Sequence, residues 1–133
     1  MNKKKRFVKQ FMNHLFGMYN VPRIPVYIHY EYPSLVDPEG NFCFATYVYE
    51  DNKPGCIHAA GEAGTTTLML IIAHEFVHYV QHIRGRNMED TDVIERDAEY
   101  WANGLMGQWI INKKQRGEHC YGVAEIWNET GSE

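Results

Sequence analysis

The sequence has no long apolar stretch. Its longest run of consecutive apolar residues, Leu68 to Ala73, is far shorter than the about 20 residues that a membrane-spanning helix needs. At the N-terminus, the basic run from Lys3 to Arg6 leads into apolar residues at helical spacing, which polar residues interrupt. This pattern predicts an amphipathic helix and not a signal peptide, because a signal peptide needs an uninterrupted apolar core. We therefore expect no membrane segment.

Cysteine is scarce as well. The three cysteines, Cys43, Cys56 and Cys120, are an odd number without regular spacing, which argues against a disulfide framework. A reducing compartment is then the default, and we expect the protein in the cytoplasm. Cys56 and His58 would form half of a zinc knuckle, but no second Cys or His pair follows at ligand spacing. Small buried cysteines are the interpretation that we favour.

The sequence also lacks an excess of positive charge. It carries 13 Lys and Arg against 17 Asp and Glu, a net charge of -4, which indicates no general nucleic-acid surface. We expect no nucleic-acid partner. With 133 residues and 44% hydrophobic content, the chain is long enough for one core and too short for two, so residues 1–133 are predicted to form a single domain. Nothing in the sequence indicates the oligomeric state.

The first half of the sequence predicts a helix followed by a sheet. Helical periodicity runs from about residue 4 to residue 18. Alternating β-forming residues then predict strands at Val26–Tyr30, Phe42–Tyr49 and Cys56–Ala60, with turns at Asp37–Asn41 and Asp51–Gly55. The connections are too short for helical crossovers, so we predict a small, largely antiparallel, three-stranded sheet.

The second half predicts two long helices. The first has Thr65 or Thr66 as its N-cap and ends near Gly85, and its first half is apolar on all sides, as is typical of a buried helix. The second runs from about Asp92 to Lys113 and has one apolar stripe. Together with the sheet, these helices predict an α+β fold in which the two long helices pack together. Residues 117–133 show no pattern that assigns them to an element.

The first of these helices contains an H-E-x-x-H motif, from His74 to His78. Residues four apart lie on one face of a helix, about one turn apart, so both imidazoles can bind the same metal ion. Glu75 points away from that face, but its side chain can reach a metal-bound water, as a general base must. The motif therefore predicts a zinc site with His74 and His78 as ligands and Glu75 as the base.

A catalytic zinc ion needs a third protein ligand and leaves the fourth position to water. One class of enzymes places a His six residues after the second His, with a Gly midway. This sequence has Arg84 and Gln81 at those positions, which excludes that class. Glu95 is the better candidate, because helical geometry places it beside Ala98 and Ala102, two small residues that allow the two long helices to approach closely.

Glu99 is predicted to support the metal site from one turn beyond Glu95. Its carboxylate can accept a hydrogen bond from the free ring nitrogen of His74 or His78 and fix the orientation of that ring. The alternative is that Asp92 and Glu95 form only a capping arrangement at the start of the helix, and that Glu99 is solvated. A carboxylate beside the apolar stripe favours the first interpretation.

Two further residues fall outside the predicted ligand set. Asp97 points away from the helix contact and is the weaker ligand candidate. His82 lies a full turn beyond His78 and cannot reach a metal ion bound between the two motif histidines. We predict it at the rim of the cleft or on the surface.

The sequence resembles the gluzincin metallopeptidases, in which a second helix carries a glutamate ligand after the H-E-x-x-H helix. Among them it looks most like the compact minigluzincins and the ImmA/IrrE-type peptidase domain, over about residues 54 to 106, and the segment from Glu95 to Ala102 matches their second helix. The resemblance implies a zinc-dependent endopeptidase that acts on a peptide or protein substrate, with His74, His78 and Glu95 as ligands and Glu75 as base.

The resemblance also implies that the strand before the motif helix, Cys56–Ala60, is a sheet edge to which an extended substrate adds. The sequence departs from the family pattern at two places. Glu99 stands where many relatives have Asp or Asn. No downstream residue matches the one that steadies the oxyanion in larger gluzincins, for which His119 and Tyr121 are the nearest options.

Two functions other than peptide hydrolysis are also open. A non-catalytic module would use the zinc ion for structure or for gripping a peptide, although structural zinc ions usually have four protein ligands. Alternatively, the motif is accidental and the chain is a small interaction protein. Its 9 Tyr, 6 Phe and 3 Trp would then mark a binding surface, although aromatic residues at such periodic positions are more often core.

Overall fold

The structure, a computed structural model, describes residues 3–29, 44–61 and 64–115. It confirms the predicted α+β fold, with an N-terminal helix, a three-stranded sheet and two long packed helices. The turn predicted at Asp37–Asn41 and the unassigned residues 117–133 lie outside the described residues. The elements in chain order are α1 (Lys3–Tyr19), β1 (Val26–His29), β2 (Ala45–Glu50), β3 (Lys53–Ala60), α2 (Thr65–Ile83) and α3 (Thr91–Gln115).

The three strands form a mixed sheet in the order β1-β3-β2. β2 and β3 form an antiparallel hairpin in which Tyr47 lies opposite Ile57, whereas β1 runs parallel to β3. β3 lies between the two strands that precede it in the chain. β3 is therefore the central strand, and the expectation that Cys56–Ala60 is a sheet edge is wrong. Among the described strands, the edges are β1 and β2.

The ends of α2 are defined by two glycines. Gly64, in an extended conformation, is the N-cap, and its carbonyl accepts the N–H of Leu68 at 2.8 Å. The prediction that Thr65 or Thr66 is the cap is wrong, because the helix begins one residue earlier and Thr65 already lies in its first turn. Just beyond the last residue, Ile83, Gly85 has a φ of +79°, which glycine adopts without strain, and the helix ends near it as predicted.

The hydrophobic core lies between α1, the sheet and the two long helices. The apolar face of α1 is buried, as its amphipathic pattern predicts. Phe11 packs edge-on against Trp109 of α3, with ring centroids 5.3 Å apart, and Phe16 packs in the same way against Phe76 of α2 at 5.6 Å. Phe76 and most of the other residues of α2 are buried, so the H-E-x-x-H motif lies on a helix that the core holds in place.

The contact between α2 and α3 brings the second helix to the motif. Ala98 and Ala102 are fully or almost fully buried, in agreement with the predicted close approach. Small side chains at this contact leave room for Glu95, one turn before Ala98, to face α2. Within the part of the chain that the structure describes, no helix combines the length and the apolar character needed to cross a membrane.

Candidate metal centre

The structure brings together the three predicted ligands. Nε2 of His74 lies 2.8 Å from a carboxylate oxygen of Glu95, and Nε2 of His78 lies 3.1 Å from the other oxygen of that carboxylate. One donor atom from each residue lies within 4.8 Å of the others. The two histidines are one turn apart on α2, and Glu95 reaches them from the first turns of α3. The sequence therefore placed these side chains correctly relative to each other.

Gln81 determines which nitrogen of His78 faces this cluster. The side-chain amide of Gln81 donates through Nε2 to the backbone carbonyl of Ile94 at 3.1 Å, so its oxygen faces the other way and lies 2.9 Å from Nδ1 of His78. That oxygen can only accept, so Nδ1 of His78 carries the proton. The lone pair of Nε2 is then directed at the cluster and at the Glu95 carboxylate.

The donor set fits a divalent metal ion. A lone pair on His78 Nε2 beside the carboxylate of Glu95 places two hydrogen-bond acceptors 3.1 Å apart, which is unfavourable unless a cation or a proton lies between them. Two neutral imidazoles and one carboxylate are the ligands of a zinc site that keeps its fourth position for water. The residues therefore fit a zinc ion, with His74, His78 and Glu95 as the groups that would hold it.

Gln81 is the residue of this site that sequence reasoning missed. In the sequence, Gln81 stands out only as the residue at a position where another class of metal sites has a glycine. Gln81 is 4% exposed, and its two hydrogen bonds join the predicted ligand His78 to the residue that precedes the predicted ligand Glu95. The signal in the sequence is a glutamine three residues after the second histidine, on the same face of the helix.

Glu75 lies beside the cluster and against the sheet. Burial is the main cause that raises the pKa of its carboxyl to about 7. The nearby charge of Glu95 acts in the same direction, whereas His78 and a hydrogen bond from the backbone N–H of Tyr47 lower the pKa. A cation bound at the cluster would lower it further, since an ion is the largest charge of such a site. The hydrogen bond from the backbone N–H of Tyr47 also joins Glu75 to β2.

Two cavities flank the cluster. The larger, of about 480 Å³, contains His74 and Glu75 in its lining, and the smaller, of about 270 Å³, contains Glu75, His78 and Glu95. Ala45 of the edge strand β2 lines both. A wider groove of about 600 Å³ lies between α1 and β1 and contains none of the three ligands, so it is separate from this site. The cleft at the metal centre therefore runs along β2.

The structure places Glu99 in this cleft. It lines the larger cavity beside His74 and Glu75. Nδ1 of His78 already donates its hydrogen bond to the side-chain oxygen of Gln81, so that nitrogen does not need Glu99 as a partner. Orientation of His74 by Glu99 stays a prediction.

Asp97 and His82 both lie outside the cluster. Asp97 pairs with Arg86 at 3.0 Å, in agreement with its place as the weaker ligand candidate. The prediction that His82 lies at the rim or on the surface is wrong, because it is buried. Its Nδ1 accepts the hydroxyl proton of Tyr47 at 2.8 Å, and its Nε2 donates to the carbonyl of Asp51 at 2.5 Å. His82 thereby fastens the β2–β3 hairpin to α2.

Comparison of the chain with protein-family models, with curated proteins and with solved structures gave no match. The oxyanion candidates His119 and Tyr121 lie outside the described residues. Interpretation of the site therefore rests on the geometry of His74, His78 and Glu95 and on the chemistry of these side chains.

Proposed function

We propose that the protein is a zinc-dependent peptidase of gluzincin type that acts in the cytoplasm. The observation that carries the proposal is the convergence of His74, His78 and Glu95, whose donor atoms lie within 4.8 Å of one another, with Glu75 next to them. Two imidazoles and one carboxylate leave a coordination position for water, which a hydrolytic site requires and a closed structural site does not have.

Glu75 acts as the general base and then as the acid. A zinc ion, when bound, supplies positive charge that polarises the peptide carbonyl and makes the attacking water more acidic. Glu75 accepts a proton from that water as the water oxygen bonds to the carbonyl carbon. It returns the proton to the nitrogen as the C–N bond breaks. The hydrogen bond from the Tyr47 amide keeps the carboxylate beside the cluster during both transfers.

The edge strand β2 is the element that would hold the substrate backbone. The carbonyl of Phe44 accepts the N–H of Ala60 at 2.7 Å, whereas the N–H of Tyr47 is directed to Glu75, on the side away from β3. Because backbone groups alternate in direction along a strand, those of Ala45 also point away from β3. Ala45 lines both cavities, so an extended peptide paired with β2 would cross the metal centre.

The first experiment measures the metal content of protein purified without added metal, by mass spectrometry. We expect about one zinc ion per chain in the wild type and clear loss in Glu95→Ala, because Glu95 is the third ligand. Asp97→Ala is the matched control, since this acid lies on the same helix and outside the cluster, and it should retain zinc. Absence of stoichiometric metal, even after reconstitution with zinc, contradicts the proposal.

The second experiment separates hydrolysis from binding. Zinc-loaded wild type and Glu75→Gln are incubated with a peptide library, and the products are identified by mass spectrometry. We expect cleavage by the wild type only, with equal zinc content in both proteins. Cleavage by pure Glu75→Gln refutes the role of Glu75. A wild type that binds zinc and peptides without cleaving any of them is instead a zinc-containing peptide-binding module.

A further inference from the structure

The larger of the two cavities has a definite chemical character. Its volume is about 480 Å³, and it opens directly beside His74 and Glu75. Most of its walls are apolar. The side chains that form these walls are Phe44, Ala45, Leu70, Ile71 and Ala102. A substrate side chain adjacent to the bond being cleaved would therefore enter an apolar channel that starts at the metal centre.

The polar groups of this cavity that lie outside the metal centre are one carboxylate and one neutral amide. Glu99, an exposed residue of α3, contributes its carboxylate. Asn103, one turn further, donates one N–H of Nδ2 to the backbone carbonyl of Glu99 at 2.8 Å, which leaves its amide oxygen as an acceptor and its second N–H as a donor. No Lys or Arg is among the described residues that line the cavity. The cavity thus offers an apolar wall followed by one negative charge and one neutral amide.

We propose that this cavity selects a lysine or arginine side chain of the substrate, next to the bond that is cleaved, and that Glu99 is the specificity residue. The proposal rests on the peptidase function proposed above. A Lys or Arg side chain has an apolar stem and a cationic head that only donates hydrogen bonds. The stem would lie along Leu70 and Ile71, and the head would reach the carboxylate of Glu99 at the rim.

Other side chains match this cavity less well. An acidic side chain would lie beside the like charge of Glu99 and would be repelled. An apolar side chain would fill the channel and make no use of the acceptors at its end. The smaller cavity on the other side of the metal centre is lined by hydroxyl and thioether groups, such as those of Thr46, Tyr49 and Met88, and its acids are Glu75 and Glu95 of the centre itself. The preference for a cation therefore belongs to the larger cavity.

The test uses fluorogenic peptides that differ only at the two residues flanking the cleaved bond, where Lys, norleucine or Glu is placed in turn. Norleucine matches the stem of Lys without its charge. We expect the zinc-loaded wild type to cleave the best Lys peptide about 10-fold more efficiently, in kcat/KM, than its norleucine counterpart, as for one hydrogen bond to a charged group. Glu99→Gln should remove this difference, so that the Lys and norleucine peptides are cleaved with equal kcat/KM. Glu89→Gln, an exposed acid outside both cavities, should retain it.

Binding provides a readout that does not depend on turnover. The same peptides are titrated into zinc-loaded Glu75→Gln, with and without Glu99→Gln, and fluorescence anisotropy is recorded. The Lys peptide should bind more tightly than the norleucine peptide only when Glu99 is present. Added salt should reduce the difference, because a charge pair at the rim is screened.

The outcomes are distinguishable. If the wild type cleaves Lys and norleucine peptides equally well, the specificity inference is overturned and the peptidase proposal stands. It is also overturned if Glu99→Gln loses zinc and slows all peptides equally, because Glu99 then acts on the metal site. If the zinc-loaded wild type cleaves none of the peptides or library members, the peptidase proposal itself fails, and the specificity inference fails with it.

Discussion

Replacement of Gln81 by Met tests how the two ligand-bearing helices are joined. Methionine has a similar shape but makes neither of the hydrogen bonds of Gln81, to Nδ1 of His78 at 2.9 Å and to the carbonyl of Ile94 at 3.1 Å. Nδ1 of His78 and the carbonyl of Ile94 would both stay buried without a hydrogen bond. Each such group lowers the free energy of unfolding by about 1–3 kcal/mol. The His78 ring would also lose the contact that fixes its proton on Nδ1. We expect zinc affinity to fall about 10-fold to 100-fold, the usual effect of losing the partner of a ligand histidine.

Zinc affinity is measured by competition with a chelator, and stability by urea unfolding of the metal-free protein. Tyr79→Phe is the control, because it removes another buried hydrogen bond of α2, from the Tyr79 hydroxyl to the Pro22 carbonyl at 2.6 Å, away from the metal centre. Gln81→Glu keeps an acceptor for His78 and loses the donor to Ile94, so it should recover part of the zinc affinity without recovering stability. If Gln81→Met and Tyr79→Phe bind zinc equally well, Gln81 only ties the helices together and the reasoning is refuted.

Two further predictions concern the sheet. Burial, and then the charge of His29 at 2.8 Å, lower the pKa of His58 from its usual value of 6.5, so the stability that neutral His58 contributes is present above pH 6.5 and is lost as the pH falls through the lower folded-state pKa. The other groups that face His58 are Cys56, Tyr27 and Thr46, which lies opposite it on β2. The urea midpoints at pH 7.5 and pH 5.5 should therefore differ more for the wild type than for His58→Gln. An equal difference in the two proteins contradicts the role of His58. In Gly55→Ala, the added Cβ would lie 1.8 Å from the Val48 carbonyl oxygen, so the hairpin must shift. The free energy of unfolding, measured by heat or urea, should fall by about 1–3 kcal/mol. Gly104→Ala is the control, because Gly104 lies in open space on α3 and its replacement should be neutral or stabilising. Equal stability of the two alanine variants would show that the hairpin adapts freely.

Much of the metal centre was predictable because its geometry is local. The spacing of His74 and His78 fixes their relative position on any straight helix. Glu95 required one step more, the inference that two small residues, Ala98 and Ala102, allow close helix packing. Both depend on helical periodicity, which a sequence displays directly. The structure agrees at each of these positions.

The strand order was not predictable in the same way. Alternation of apolar and polar residues predicts strands at Val26–Tyr30 and Cys56–Ala60, but it does not predict which strands are neighbours. β1 pairs with β3 and not with the strand that follows it in the chain. This pairing makes β2 an edge, and it moves the proposed substrate-binding strand from β3 to β2.

His82 was misplaced and Gln81 was overlooked for a related reason. Polar residues on a helix are most often exposed, so a polar residue without an evident partner is assigned to the surface. Their partners include the backbone carbonyls of Ile94 and Asp51, on other elements of the fold. Every residue has a backbone carbonyl, so such a partner leaves no signal in the sequence.

His82, together with Glu75, explains why β2 can serve as a fixed wall of the cleft. Tyr47 is held to α2 twice, through its backbone N–H to Glu75 and through its hydroxyl to His82. The hydroxyl also accepts the N–H of Gly55 at 3.1 Å, which joins β3 to the same point. An edge strand fastened in this way keeps its distance from the H-E-x-x-H helix, so a peptide paired with β2 would meet Glu75 and the predicted metal ligands in a constant geometry. Gln81 fixes α3 to the same helix through the carbonyl of Ile94. The strand β2 and the helix α3, which flank the cleft, are therefore both positioned by α2, through Glu75, Gln81 and His82.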